Sequence, residues 1–180
     1  TNLKIIGEIN GTDLRMIRGM AYGNLSVLDL SEAKIVKGGD CYYTDDYRKY
    51  YTSNNVIDEA AFNGCRGLTS LTLPAGITEI GWYAFQGCSE LTSIYVYAEK
   101  VPKIGWAAFE GVDAKKCTLY VPMGTYDDYL ISDFGDYFEN IVEFGAMGIQ
   151  LEKAGTLPDR IGSSKKYKIT NLKIIGEING

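Results

Sequence analysis

The chain has 180 residues, enough for one domain with a sizeable core, and 46% of them are aliphatic, aromatic or cysteine, which excludes a disordered polymer. Eighteen Lys plus Arg stand against 23 Asp plus Glu, a net charge of −5, and no basic stripe forms, which argues against nucleic acid as a partner. Histidine is absent, so Ser-His-Asp and Cys-His nucleophiles, His-ligated zinc and the usual neutral-pH general base are removed, and no apolar run approaches the ~20 residues that span a bilayer. The expectation is a non-enzymatic protein without a cofactor or catalytic residues, and not membrane-spanning.

In chain order, Leu3 and Ile5 form a short apolar alternation. Asn10 and Gly11 signal a turn, after which Thr12 or Asp13 can cap a helix carrying Leu14, Ile17 and Ala21 on one face, with Gly23 to stop it. Leu25, Leu28 and Leu30 then give an L-x-x-L-x-L pattern whose last residues alternate as a half-buried strand does.

Residues 36–55 lack that pattern. They hold Tyr42, Tyr43, Tyr47, Tyr50 and Tyr51 among Asp40, Asp45 and Asp46, with Arg48 and Lys49. Ile35 lies 22 residues before Ile57, so the segment occupies one repeat length, as a degenerate coil or a projecting loop. Exposed Tyr and Asp in a loop suit contact with a protein or glycan; solvated filler on the flank is the alternative.

From Ile57 a motif returns: Ile57, Ala61, Phe62, Gly64 and Cys65; then Ile80, Ala84, Phe85, Gly87 and Cys88; then Ile104, Ala108, Phe109 and Gly111. Its copies start 23 and 24 residues apart, and apolar triplets follow them: Leu68, Leu71 and Leu73; Leu91, Ile94 and Val96; Leu119 and Val121. A period of this length is the signature of a solenoid of stacked coils. One strand per coil predicts a parallel sheet, an internal spine of Phe62, Phe85 and Phe109, and tight turns at the three glycines. Cys65 and Cys88 share a coil position roughly 5 Å apart, close enough for a disulfide or simply two small buried thiols. Near the end, Thr125 can cap a helix from Tyr126 to Leu130, and Phe138, Ile141 and Val142 supply a last apolar patch.

The register places Lys4, Asp29, Thr72, Tyr95 and Tyr120 in one outward row, joined by Tyr97, beside a second row of Asn2, Val27, Ser70, Ser93 and Thr118. Tyr95, Tyr97 and Tyr120 are candidate contact residues, because Tyr offers a large, fairly rigid surface with a polar tip. Ordinary cross-strand pairing is the competing reading. Trp82 and Trp106 share a coil position, as an interface hot spot or as stacking between coils.

The I-x-x-x-A-F-x-G-C-x-x-L-T-S-[LI]-x-[LV] coil resembles the BspA-like leucine-rich repeats of bacterial surface proteins, especially those of Bacteroidetes. The stretch with Cys117, Tyr120, Pro122, Tyr129, Phe138, Ile141 and Glu143 looks like the end of such domains. The resemblance covers most of residues 25–144, with residues 36–55 as its departure, and implies an α/β repeat: a leucine-rich-repeat solenoid with a curved parallel β-sheet and short helical or irregular convex segments. The solenoid is expected to span residues 1–144. It also implies an exported or cell-surface protein used for adhesion or recognition of a host or neighbouring-cell protein. Capture of a glycan is the second functional expectation.

Residues 1–11 recur identically as residues 170–180. Residues 145–169 therefore read as a lead-in to the first coil, displaced to the C-terminus, by a tandem array, a circular permutation or an engineered rearrangement. Two identical strands want one slot at the head of the stack, so docking of 145–180 onto a neighbouring molecule predicts head-to-tail self-association.

Overall fold

The computed structural model describes residues 1–145, together with the backbone of two short strands at 147–150 and 172–175. Its framework is a six-stranded parallel sheet of β1 (Asn2–Ile9), β2 (Val27–Ile35), β6 (Ser70–Leu73), β8 (Ser93–Val96), β10 (Thr118–Pro122) and β11 (Asn140–Phe144), in that spatial order. A second parallel ladder runs through β5 (Val56–Ile57), β7 (Glu79–Ile80) and β9 (Lys103–Ile104). With short helices between strands, this is an α/β repeat fold.

Between the two ladders lies one core. Leu28, Leu71, Ile94 and Leu119 occupy one register position and are fully buried. Phe62, Phe85 and Phe109 stack behind them, with ring centroids 5.4 and 5.3 Å apart and planes within 7° of parallel. The spacing follows from the strand repeat of about 4.8 Å, which brings equivalent side chains of successive coils into contact. Past each phenylalanine the chain turns through Gly64, Gly87 and Gly111 at φ of +71°, +72° and +84°, where a Cβ would strain the backbone. Ala60, Tyr83 and Ala107 also adopt positive φ, one per coil. Two of these amides donate to the next coil: Ala60 N–H to Trp82 O at 2.9 Å and Tyr83 N–H to Trp106 O at 3.1 Å.

Helix α1 (Gly11–Tyr22) buries Leu14, Ile17 and Ala21 as their spacing predicts. Its cap, however, is Asn10 rather than Thr12 or Asp13. Asn10 accepts from the Thr12 amide, and Asp13 accepts in return from the Asn10 amide, a reciprocal arrangement that satisfies otherwise orphaned donors. At the other end, Thr125 stands at the cap position of α2 (Tyr126–Leu130), but its hydroxyl donates to Pro122 O. The Glu143 carboxylate accepts from the Gly124 and Tyr126 amides instead, at 2.7 and 3.0 Å. Together with α3 (Asp133–Tyr137), α2 covers the end of the core: Tyr129, Phe134 and Phe138 are buried, and the last two rings pack with Phe109. Val142, expected in this cap, stands instead in the outward row opposite Tyr120.

Residues 36–55 contribute no strand to the large sheet, because β2 pairs directly with β6. They form an antiparallel hairpin of β3 (Gly38–Thr44) and β4 (Lys49–Thr52). Rather than projecting freely, it is tied to α1: Asp40 pairs with Arg15 at 2.8 Å, and its amide donates to the Thr12 hydroxyl. Strands β12 (Met147–Gln150) and β13 (Leu172–Ile175) pair in parallel as a separate two-stranded sheet. Beyond those two strands, the expected displaced coil at 145–180 lies outside the described residues.

Candidate recognition surface

Pairing puts Lys4, Asp29, Thr72, Tyr95, Tyr120 and Val142 in one register row across the large sheet. The row changes character along its length. At its start, the Lys4 ammonium lies 3.4 Å from Asp29 and 2.7 Å from Glu32, so the charges are locally paired. At its end, the Tyr95 and Tyr120 rings stack 4.3 Å apart and 7° from parallel. Phe144 meets Tyr95 and Tyr97 edge-on, at 5.6 and 4.9 Å. Tyr97 and Val142 remain 44% and 45% exposed, and Tyr95, Tyr120 and Phe144 are half-buried. The result is an aromatic platform over three adjacent strands, held by ring–ring contacts worth about 0.5–1.5 kcal/mol each.

The hairpin divides the tyrosines expected there into two groups. Tyr42 and Tyr50 are core residues, which corrects their reading as contact residues. Tyr42 donates to Glu59 O at 2.6 Å, and burial pushes its hydroxyl well above the usual range. Tyr50 donates to Asp45 at 2.6 Å, receives Arg48 Nε–H at 2.7 Å and stacks on Tyr43. Tyr43 is half-buried, its ring 4.3 Å from the Arg18 guanidinium.

Asp45 also accepts the Tyr47 and Arg48 amides, which closes the hairpin tip on itself, and Arg48 ties the tip to Glu59 of the first coil. Those bonds, the one from Tyr50 first, hold the Asp45 carboxyl below the usual carboxylate range. Of the candidate contact residues in the hairpin, Asp46, Tyr51 and Tyr47 are exposed, the last at 95%.

Trp82 and Trp106 are both exposed, and Trp106 packs edge-on against Tyr83 at 5.2 Å. Gly105 lets the two coils close here: a Cβ on it would fall 2.5 Å from Trp82 N. Beside Trp82 runs a shallow groove of about 270 Å³ flanked by Asp58, Glu59 and Glu79. Burial raises the Asp58 carboxyl above its ordinary range, although it accepts the Ser53 amide at 2.6 Å, and neighbouring Glu79 adds to the rise. The platform, the hairpin and this groove draw on separate elements, so the twelve candidate residues do not converge on one site.

The sequence profile of the BspA type leucine rich repeat region matches residues 41–134, in six copies. The chain belongs to that family. The matched stretch covers over half of the sequence and begins inside the hairpin, where no coil is legible by eye. No curated protein matches the chain. Among the described residues, no group of three or more Cys, Asp or Glu is placed to hold a metal ion, and no helix is long and apolar enough to cross a membrane.

In these BspA-type coils, Cys65 and Cys88 are free buried thiols, and the Cys88 sulfur contacts Phe62 O at 3.2 Å. Burial raises the thiols, Cys65 to about 11 and Cys88 and Cys117 to about 12, so thiolate chemistry is suppressed at neutral pH. Two residues escaped the sequence reading. Phe144 completes the platform, and its signal was available as an aromatic residue two places beyond Val142 in the final strand. Arg18 is buried, donates to Ala60 O and to Ala61 O at 2.7 Å, and lies over the Tyr43 ring. Nothing in an amphipathic helix pattern distinguishes such an arginine from a solvated one.

Proposed function

We propose that this chain is a non-enzymatic recognition module, displayed on a cell surface or secreted, that binds a protein of a host or neighbouring cell. Membership of a leucine-rich-repeat family supports a protein-interaction role. We also propose that the two parallel ladders form an open, curved solenoid presenting the six-stranded sheet as its binding face.

The observation that carries the reading is the Tyr95–Tyr120–Phe144 platform. The Tyr95 and Tyr120 rings stack on each other, which takes one face of each, and Phe144 meets Tyr95 edge-on. Such a surface suits the mixed polar and apolar contacts of a protein interface better than stacking on a sugar, which needs a free ring face. Glycan capture, the second reading, draws support from the exposed indoles of Trp82 and Trp106. Head-to-tail self-association through residues 145–180 is a further part of the proposal.

Binding to a panel of extracellular and cell-surface proteins, set against a glycan array, tests this. Tyr95→Ala combined with Tyr120→Ala should weaken protein binding about thirtyfold, the loss typical of a hot-spot residue at about 2 kcal/mol. Trp82→Ala and Tyr47→Ala should leave it within about twofold. Binding to glycans alone, abolished by Trp82→Ala or Trp106→Ala, would replace the protein reading with the glycan one.

A further inference from the structure

We infer that β12 of one molecule pairs with β1 of a second copy of this chain, exchanging β13 for an identical strand in a fixed register. The inference rests on the head-to-tail association proposed above and specifies how it is made.

β12 and β13 pair in parallel with Met147 opposite Leu172, Gly148 opposite Lys173, Ile149 opposite Ile174 and Gln150 opposite Ile175. Residues 172–175 repeat residues 3–6 without change, so the partner that β12 recognises is present twice in every molecule. The offset agrees as well. Met147 precedes its partner by 25 residues, as Asn2 precedes Val27 in the pairing of β1 with β2. Right-handed connections set each later strand on the same side of the earlier one. β12 therefore belongs on the edge of β13 that corresponds to the outer edge of β1.

That outer edge of β1 has no strand partner among the described residues. At the start of β1, between it and the end of α1, is a groove of about 310 Å³ lined by Leu3, Met20, Gly23 and Leu25. Met16 and Met20, four residues apart on α1 and so on one side of it, are both exposed, as is Ile6 at 71%. The opposite end of the stack contrasts with this, because Tyr129, Phe134 and Phe138 close it. A strand added at β1 extends a six-stranded sheet with a packed core. Among the described residues the same strand on β13 belongs to a sheet of two strands, and such a pair by itself is marginal in water. Because the two partners are identical in sequence, exchange loses no pairing, and it brings β12 to a strand that exposes the apolar Ile6.

Reach decides whose β1 it is. A strand outside β1 lies six spacings from β11, about 29 Å at ~4.8 Å each, whereas the three residues from Phe144 to Met147 extend about 10 Å. With β11 in place, β12 cannot arrive at the β1 of its own chain. It can arrive at that of another molecule whose N-terminal end abuts its C-terminal end. The contact is heterologous and propagates into open chains or larger rings.

The test combines sedimentation of the intact protein from about 1 to several hundred micromolar with cross-linking in register. Lys4→Cys and Gly148→Cys, each in a Cys41→Ser background, are mixed and oxidised. Strand exchange gives a disulfide-linked dimer of the two variants, several-fold more of it than when Met147→Cys replaces Gly148→Cys. An eleven-residue peptide with the sequence of residues 1–11, in tenfold excess, should return the unaltered protein toward its 19.9 kDa monomer. Association that persists with peptide and gives no in-register cross-link overturns the strand exchange and leaves head-to-tail association standing. A monomer at every concentration overturns both.

Discussion

Replacing Phe85 with alanine probes whether the aromatic spine couples the coils. Phe85 is fully buried, with Phe62 on one side at 5.4 Å and Phe109 on the other at 5.3 Å. Truncating a buried Phe to Ala costs about 3–5 kcal/mol from lost burial and the cavity left behind. Two ring contacts are lost together, so the upper part of that range applies, about 4–5 kcal/mol. For a chain of this size, each kcal/mol shifts the melting temperature by about 2–4 °C, giving a fall of roughly 8–20 °C.

Urea denaturation followed by near-ultraviolet circular dichroism measures the loss, with Trp82→Ala, at an exposed site, expected within about 0.5 kcal/mol of the parent. A double-mutant cycle with Phe62→Ala should return a coupling of about 0.5–1.5 kcal/mol. A loss below about 1 kcal/mol for Phe85→Ala would show instead that the rings are neighbours without being a core.

Arg18→Leu should destabilise the fold by about 2–4 kcal/mol in the same assay, because the Ala60 and Ala61 carbonyls lose their donor and Tyr43 its cation; a loss under about 0.5 kcal/mol would show that water replaces the guanidinium. Iodoacetamide at pH 8 should label Cys41 alone in the native protein, as the other three thiols are buried, with values of about 11 to 12; mass spectrometry showing native labelling at Cys88 would contradict that burial. Asp45 is held below its ordinary range, so its contribution to the hairpin is complete above the unfolded value near about 3.9 and is lost as pH falls through the lower folded value. A carboxyl resonance of Asp45 titrating at or above about 3.9 would refute this.

The repeating part of the molecule was legible because its signal is periodic. Leu28, Leu71, Ile94 and Leu119 announce a strand by alternation, and the same alternation is enough to assign Tyr95 and Tyr120 to the outward row. The hairpin was not legible. Tyr50 and Tyr51 differ only in which side of a bulged, antiparallel pair they occupy, Tyr42 lies on the buried side and Tyr47 in the turn between the strands, and that pairing forms against α1 rather than from a local pattern. The Asn10 cap was missed because three neighbouring residues could each cap a helix, and only the backbone path selects one.

The coil period, the Phe spine, the tight glycine turns and the rows of the sheet follow from residue order alone, since each depends on contacts between equivalent residues at a nearly constant spacing. The packing of separate elements supplied what no period encodes. It buried Arg18 beneath the hairpin, split the Tyr47 and Tyr50 environments, and brought Phe144 across to Tyr95 and Tyr97. Those contacts join residues with no common repeat position. Their energies therefore depend on where separate elements come to rest, which local alternation cannot specify.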